Sequence, residues 1–439
     1  VPGDLAWQNN VQQEAVEQIK RLRSHPSIVL WCGNNEVETG WYHWGDRVEL
    51  RNSISPMQSF RVWQDYVILF ADILKSAVNT YAGVPYWPSS PSANFEEPPD
   101  NQHNGDMHYW AVWHAQAPAM DYTKQFPRFM SEFGFQSFPE MRTIRTFAEP
   151  KDFDIHSVTM QSHQKNFGGN DRILTYMLRE YREPKNFESY VYLSQVQQAE
   201  IIKIGAEHLR RQRPRVMGSL YWQLNDCWPV ASWASIDYFG RWKALQYYAK
   251  KFYADTIVSP FEHDGKIDVY VVADSLTPQT GTIRTRLLDF SGKVLSDKSS
   301  DVQIGAQSSS VAFTLDKKDL LVAANADPAK TFLVFDLSVG GKAVSRNTQF
   351  FGVMHDLDLP IAPKVGAAIA KTAEGYAVTL QSPVLARSAY VSFGDHDATF
   401  SDNYVDVLPG EPVTITVKSP ASLDELKSSM KITTLTEAY

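Results

Sequence analysis

Cysteine is almost missing from this chain: Cys32 and Cys227 are the only two among 439 residues. Two cysteines cannot build a disulfide framework, and no Cys/His spacing suits zinc. Two buried free thiols are favoured over one long-range disulfide. Long apolar runs are missing too. Nothing approaches the roughly 18 residues that a membrane span needs, so no span is expected. Basic charge is in deficit, with 42 Lys and Arg against 50 Asp and Glu, a formal net charge of −8. That balance argues against nucleic acid or an anionic membrane as the main partner. The opening VPGDLAWQNN lacks a basic stretch followed by an apolar core, so it is no signal peptide. It reads as the middle of a protein. The compartment stays open, with periplasmic, secreted and lysosome-like settings all compatible with a leader further upstream.

What is present is apolar and aromatic. Hydrophobic residues make up 43% of the chain, enough for large cores, and the length implies two or three domains. Most tryptophans lie in the first 250 residues or so, where helical and strand-like segments alternate. Val11, Ala15, Ile19 and Leu22 mark a helix face, closed by His25-Pro26. SIVLWCGNNE predicts a buried strand ending in an active loop. A helical period from Ser59 to Asn79 leads into GVPYWPSSP. GDMHYW, FPRFMSEFGFQSFPE and RVMGSLYWQLND repeat the pattern of apolar strand and polar end. Helices are expected over Tyr190–Arg213 and Leu245–Phe252. This alternation predicts a parallel β/α architecture with ligand groups at the C-terminal strand ends. Only about five strands can be counted, so an eight-stranded barrel would be incomplete here.

The pattern changes near Ala254. KIDVYVVADS places Ile267, Val269 and Val271 on one strand face, and Gly340-Gly341 supplies a hairpin turn. A β-sandwich of immunoglobulin size is expected. HDLDLPIAP reads as a linker or an edge strand, and beyond it the alternation of Val413, Ile415 and Val417 belongs to a second all-β set. The expected divisions are 1–255, 256–352 and 353–439. FGDHDATFSDN lacks the spacing of a calcium loop and reads as a solvent-facing turn.

Two carboxylates stand out. Glu36 follows Asn34-Asn35 at one predicted strand end, and Glu132 follows Ser131 at another. Glycoside hydrolysis needs such a pair: one protonates a poor leaving group while the other attacks or positions water. Either glutamate alone would more often be a surface or ion-pair residue. Asn34, Asn35, Trp222 and Asp226 on other strand ends add groups that stack on sugars or read hydroxyls. From these residues alone, a glycosidase and a non-catalytic carbohydrate-binding protein both remain open.

WCGNNE, SEFGFQSFPE and YWQLNDCWPVASWASIDYFGRWKALQYYAKK resemble signature segments of the β-mannosidases of glycoside hydrolase family 2. GDMHYWAVW and SDNYVDVLPGE resemble them as well. The resemblance implies a multidomain α/β plus all-β chain. A (β/α)8 TIM-barrel portion, strands four to eight, would be followed by two immunoglobulin-like β-sandwich domains. It implies a retaining exo-β-mannosidase that removes terminal β-mannose from β-mannosides or manno-oligosaccharides. Glu36 maps to the acid/base and Glu132 to the nucleophile. Asn35 maps to a contact near the substrate 2-hydroxyl, and Trp222 to the floor of the sugar subsite. Trp44, Trp87, His108, Tyr109 and Asp226 complete the expected substrate contacts. No metal or organic cofactor is implied. An upstream N-terminal half is, because two β domains and barrel strands one to three precede this point in the family. The alternatives are a β-galactosidase-like or exo-glucosaminidase-like enzyme of the same clan.

Overall fold

The computed structural model describes residues 1–439. They form two compact units, one of residues 1–110, 125–133 and 215–220, the other of the remainder.

The first unit opens on helix α1 (Leu5–Leu22), whose first turn is capped by Asp4 accepting from the Trp7 N–H at 2.8 Å. Strand β1 (Trp31–Cys32) follows, then α2 (Val37–His43), α3 (Gly45–Ser53) and α4 (Pro56–Val67). Ser55 and Gln58 cap α4 reciprocally, and Pro56 sits where its missing N–H costs nothing. A π-helical stretch, Ile68–Ile73, joins α4 to α5 (Leu74–Tyr81). Ile19 of α1 packs on Ala77 and Val78 of α5, with Trp31 and Tyr86 against them. These helices thereby cover the pairing of β1 with β2 (Tyr86–Trp87). Strand β3 (Met107–Tyr109) pairs in parallel with β4 (Met130–Phe133). Bridges extend the parallel order from Asn35 to Ser90 and from Met130 to Ser219.

The result is an α/β array whose hydrogen bonding runs from Trp31 to Leu220 without closing on itself. A closed eight-stranded barrel is not formed. Each outer segment has a strand partner on one side only, and apolar side chains expected to be buried are exposed there. Val29 is 73% exposed, and Met217 and Leu220 are each 57% exposed. The run of Val29 and Leu30 precedes β1 as irregular chain rather than strand. Leu220 likewise lies outside any strand.

In the second unit the helix Phe187–Arg211 is capped by Asn186 and buried along most of its length. The helix Ala244–Phe252 packs on it. Arg211 donates to Ser259 at 2.7 Å, and Tyr192 donates to the Ser388 carbonyl at 2.7 Å. The long helix is thus tied to both β regions that follow.

Those regions are antiparallel, as the alternating sequence requires. Strands β5 (Thr256–His263), β6 (Lys266–Ala273) and β9 (Ser309–Asp316) form one sheet, in the order β5-β6-β9. Strands β7 (Gln279–Asp289), β8 (Val294–Ile304), β10 (Thr331–Val339) and β11 (Lys342–Phe350) form the other, in the order β11-β10-β7-β8. Val269, Val271, Leu287, Leu333 and Phe335 share the core between them. The second sandwich pairs β12 (Gly366–Thr372), β13 (Gly375–Gln381), β17 (Val413–Lys418) and β15 (Thr399–Phe400) against β16 (Val405–Val407), β14 (Ala386–Ser392) and β18 (Lys431–Thr433). Ile415 and Val417 face its core, as their alternation predicts. The segment before it, through Pro363, forms no strand.

Both cysteines are free. They are exposed rather than buried: Cys32 ends β1, and Cys227 lies in irregular chain before the helix Ala244–Phe252.

Candidate active site

The site in the first unit is built from backbone that leaves little choice. Gly33 passes so close to β2 that a Cβ there would meet the Tyr86 hydroxyl at 2.3 Å and the Pro88 carbonyl at 2.4 Å. Asn34 then locks the turn. Its amide donates to the Pro88 carbonyl at 2.9 Å, and its oxygen accepts from Val37 N–H and Ser89 Oγ. Glu36 follows with φ +61°, a left-handed conformation that a glutamate rarely adopts. Its N–H donates to the Ser90 carbonyl at 2.8 Å, and its carbonyl accepts from Gly40 at 2.7 Å. The surrounding bonds hold that strain of about 1–3 kcal/mol where a side chain must be aimed.

Glu132 reaches the same place from β4. His108 of β3 is its partner in the parallel register, so the two side chains share one face. His108 Nδ1 lies 2.7 Å from Glu36 Oε1 and 3.4 Å from Glu132 Oε2. The three functional atoms all fall within 4.8 Å of one another. Trp110 Nε1 donates to Glu132 Oε2 at 3.3 Å.

Charge follows from this packing. Burial pushes the Glu132 carboxyl up to about 7; His108 opposes this, and the nearby Glu36 charge adds to it. Burial also works against charge on His108. The hydrogen bond to Glu36 and the charges of Glu132, Glu36 and Asp100 outweigh it, and His108 holds its proton above the ordinary histidine value. Against that burial Glu132 has the Trp110 indole at 3.3 Å and His108 at 3.4 Å.

A third buried carboxyl lies two residues beyond Glu36. Glu38 is 1% exposed, and its Oε2 has no hydrogen-bond partner. Burial raises it to about 7, with Asp106 and Asp100 adding repulsion against a Ser92 hydrogen bond. A raised carboxyl holds a proton that the unfolded chain releases near 4.5. Its contribution is therefore intact at low pH and is lost as pH rises toward and through about 7. Glu38→Gln should remove its share, on the order of 2 kcal/mol. The fall in melting temperature between pH 5 and pH 8 should then shrink. An unchanged fall in the variant would contradict this account.

Two family models match the chain, Mannosidase Ig/CBM-like domain over residues 265–354 and Ig-fold domain over residues 361–438. The whole chain aligns at 28% identity with a β-mannosidase of Rattus norvegicus, covering 52% of it. β-Mannosidase B of Aspergillus niger is 29% identical over 95% of the chain and 51% of its own length. The crystal structure of the β-D-mannosidase from Dictyoglomus thermophilum superposes with a TM-score of 0.85 at 32% identity. It covers 99% of this chain and 51% of that one. The chain is related to the β-mannosidases. It spans about half the length of these relatives. An exo-chitosanase from Amycolatopsis orientalis, at 20% identity and a TM-score of 0.69, shares the fold alone.

Of the residues singled out by the β-mannosidase resemblance, Glu36, Glu132 and His108 come together. Asn35 is exposed next to Glu36 and bridges to Ser90 through its backbone. Tyr109 lies opposite Phe133 in the β3–β4 register. Trp87 turns its indole N–H to Asp106 Oδ1 at 3.1 Å. Trp44 stands between α2 and α3, 44% exposed. Trp222 and Asp226 belong to the second unit. Trp222 is 41% exposed. Asp226 is buried, accepting from Lys165 Nζ at 3.1 Å and Ser232 Oγ at 2.6 Å, so its carboxylate is spent on the fold. Sequence reasoning missed Trp110, Asp106, Ser90 and Ser131. The signal was at hand: Asp106 and Trp110 lie within GDMHYW, and the serines stand in PYWPSSP and directly before Glu132.

Proposed function

We propose that this chain carries the catalytic carboxylates of a retaining exo-β-mannosidase, acting on terminal β-mannose of β-mannosides or manno-oligosaccharides. The observation that carries the reading is the Glu36–Glu132 pair, with oxygens within 4.8 Å and His108 against both. Retaining enzymes hold their carboxyl groups about 5–5.5 Å apart, whereas inverting ones leave about 6.5–9.5 Å for a water. The spacing thus supports double displacement. Glu132 attacks the anomeric carbon while Glu36 protonates the departing oxygen, and Glu36 then takes a proton from the water that releases mannose. One carboxyl must act as the anion and the other as the acid, so kcat/KM should be bell-shaped in pH. Asn35, exposed beside the acid/base, is the proposed contact near the 2-hydroxyl.

In this reading residues 1–255 are the later part of a (β/α)8 barrel, with immunoglobulin-like domains at 256–352 and 353–439. The parallel order of the strand segments, with Glu36 and Glu132 toward their C-terminal ends, supports it. The activity is proposed for the protein in which an upstream half completes the site.

Hydrolysis of an aryl β-mannoside, followed by proton NMR from the first turnovers, tests the proposal. β-Mannose should appear first and mutarotate later. α-Mannose as the first product would exclude retention. Faster hydrolysis of the matching β-galactoside or β-glucosaminide would move the specificity to those sugars.

A further inference from the structure

Beneath His108 lies a carboxylate that the proposed reaction does not use. Asp106 Oδ1 accepts from Trp87 Nε1 at 3.1 Å and from the Ser92 N–H at 2.9 Å. Its Oδ2 accepts from Ser90 Oγ and from Ser131 Oγ, each at 2.6 Å. One carboxylate thus ties the chain after β2 to β4, one residue before Glu132. Gly105 makes this approach possible: its φ is +69°, and a Cβ there would meet the Ser92 carbonyl at 1.8 Å.

Ser90 is the link to the site. Its Oγ lies 3.0 Å from His108 Nε2 as well as 2.6 Å from Asp106. A serine hydroxyl has one proton to give. The shorter bond, to a carboxylate, takes it. Ser90 must then accept from His108, which places a proton on Nε2. Nδ1, at 2.7 Å from Glu36 and 3.4 Å from Glu132, carries the other. The His108 backbone N–H donates to Asp100 Oδ1 at 3.0 Å, and the ring is held at both nitrogens, by Ser90 and by Glu36.

We propose that Asp106 is a positioning residue: acting through Ser90, it fixes His108 with protons on both ring nitrogens, so that an imidazolium faces Glu36 and Glu132. The charged groups of this unit around the ring are Glu36, Glu132 and Asp100, with Asp106 behind Ser90. The imidazolium opposes the upward push of burial on Glu132 and so favours the anion that a nucleophile needs. In Asp106→Asn the new amide donates where the carboxylate only accepted. Ser90 then accepts from that amide and gives its own proton to Nε2, and His108 becomes neutral. The catalytic consequence rests on the glycosidase reading above, but the protonation state does not.

Nitrogen-15 NMR of histidine-labelled full-length protein reads this directly, with the His108 signal identified by its loss in His108→Gln. Both ring nitrogens should be protonated at pH 7. In Asp106→Asn and in Ser90→Ala the ring should titrate at least about one pH unit lower. In turnover, each variant should lose roughly 10–100-fold in kcat/KM, the scale on which partners behind a functional histidine act. The alkaline limb of the pH profile should move to lower pH. The double variant should be no worse than the poorer single one, because both changes cut the same link. Ser90→Ala keeps three of the four Asp106 bonds, so it serves if Asp106→Asn fails to fold. A neutral His108 at pH 7, or additive losses with an unmoved pH profile, overturns the proposal. An imidazolium in a protein that hydrolyses no glycoside overturns the functional reading and leaves this one standing.

Discussion

Replacing Glu132 with Ala should lower turnover by roughly four to six orders of magnitude, the scale seen when a covalent nucleophile is removed. The geometry gives the reason. Glu132 is the carboxylate that β4 presents beside His108, and Trp110 Nε1 holds its Oε2 at 3.3 Å. Without it there is no group at that point to form the glycosyl-enzyme. A 2-fluoro mannoside with an activated leaving group should trap the intermediate, and peptide mapping should find the label on Glu132. Recovery of the label on Glu36 or Glu38 would move the nucleophile and undo the assignment. Titration should complicate the wild-type enzyme in an instructive way. Because Glu132 is raised to about 7, the acidic limb of kcat/KM should lie well above the ordinary carboxylate range, with loss of activity as pH falls and Glu132 takes up its proton.

Glu36→Gln should cost about 10²–10⁴-fold on natural linkages, the usual worth of a positioned general acid. The loss should depend on the leaving group. A dinitrophenyl mannoside departs without a proton, so its first step should be nearly unaffected, and hydrolysis of the glycosyl-enzyme should become limiting. Manno-oligosaccharides should show the full loss. The 2.7 Å bond from His108 Nδ1 to Glu36 Oε1 bears on the same prediction. The glutamine can offer an oxygen to that N–H and keep the geometry while giving up the acid. Parallel losses on both substrate types would mean that Glu36 is not the proton donor.

The two predictions rest on residues that sequence reading found and on distances that it could not supply. Asn-Glu after an apolar run and Ser-Glu-Phe-Gly after another are local signals. They survive because a strand end that presents a carboxylate is written in consecutive residues. Helices α1 and α4, the long helix Phe187–Arg211 and the alternating strands of both sandwiches were legible for the same reason, since periodicity needs only neighbours along the chain. Burial was less legible. Val29 and Leu30 read as a buried strand and are exposed, because burial of an apolar run depends on which segments lie on its other side.

Protonation was the least legible of all. Burial raises Glu132 to about 7. That comes from the depth of its side chain and the length of its compensating hydrogen bonds, and neither leaves a mark in residue identity. Asp106 makes the same point. In GDMHYW it reads as one more acid beside a glycine, and only the folded chain brings Ser90, Ser92, Ser131 and Trp87 to it.

By itself, then, the sequence determined the order of architectures, the two catalytic candidates and the relationship to the β-mannosidases. Each of these is carried by short motifs or by a period, and both act over a few residues. The tertiary structure alone decided that His108 stands against both carboxylates, that Val29 and Leu30 are exposed, and that Asp226 is tied up by Lys165 and Ser232. These are matters of distance between groups far apart in the chain. Coulomb energy and desolvation depend on that distance and on depth, which the order of residues does not contain.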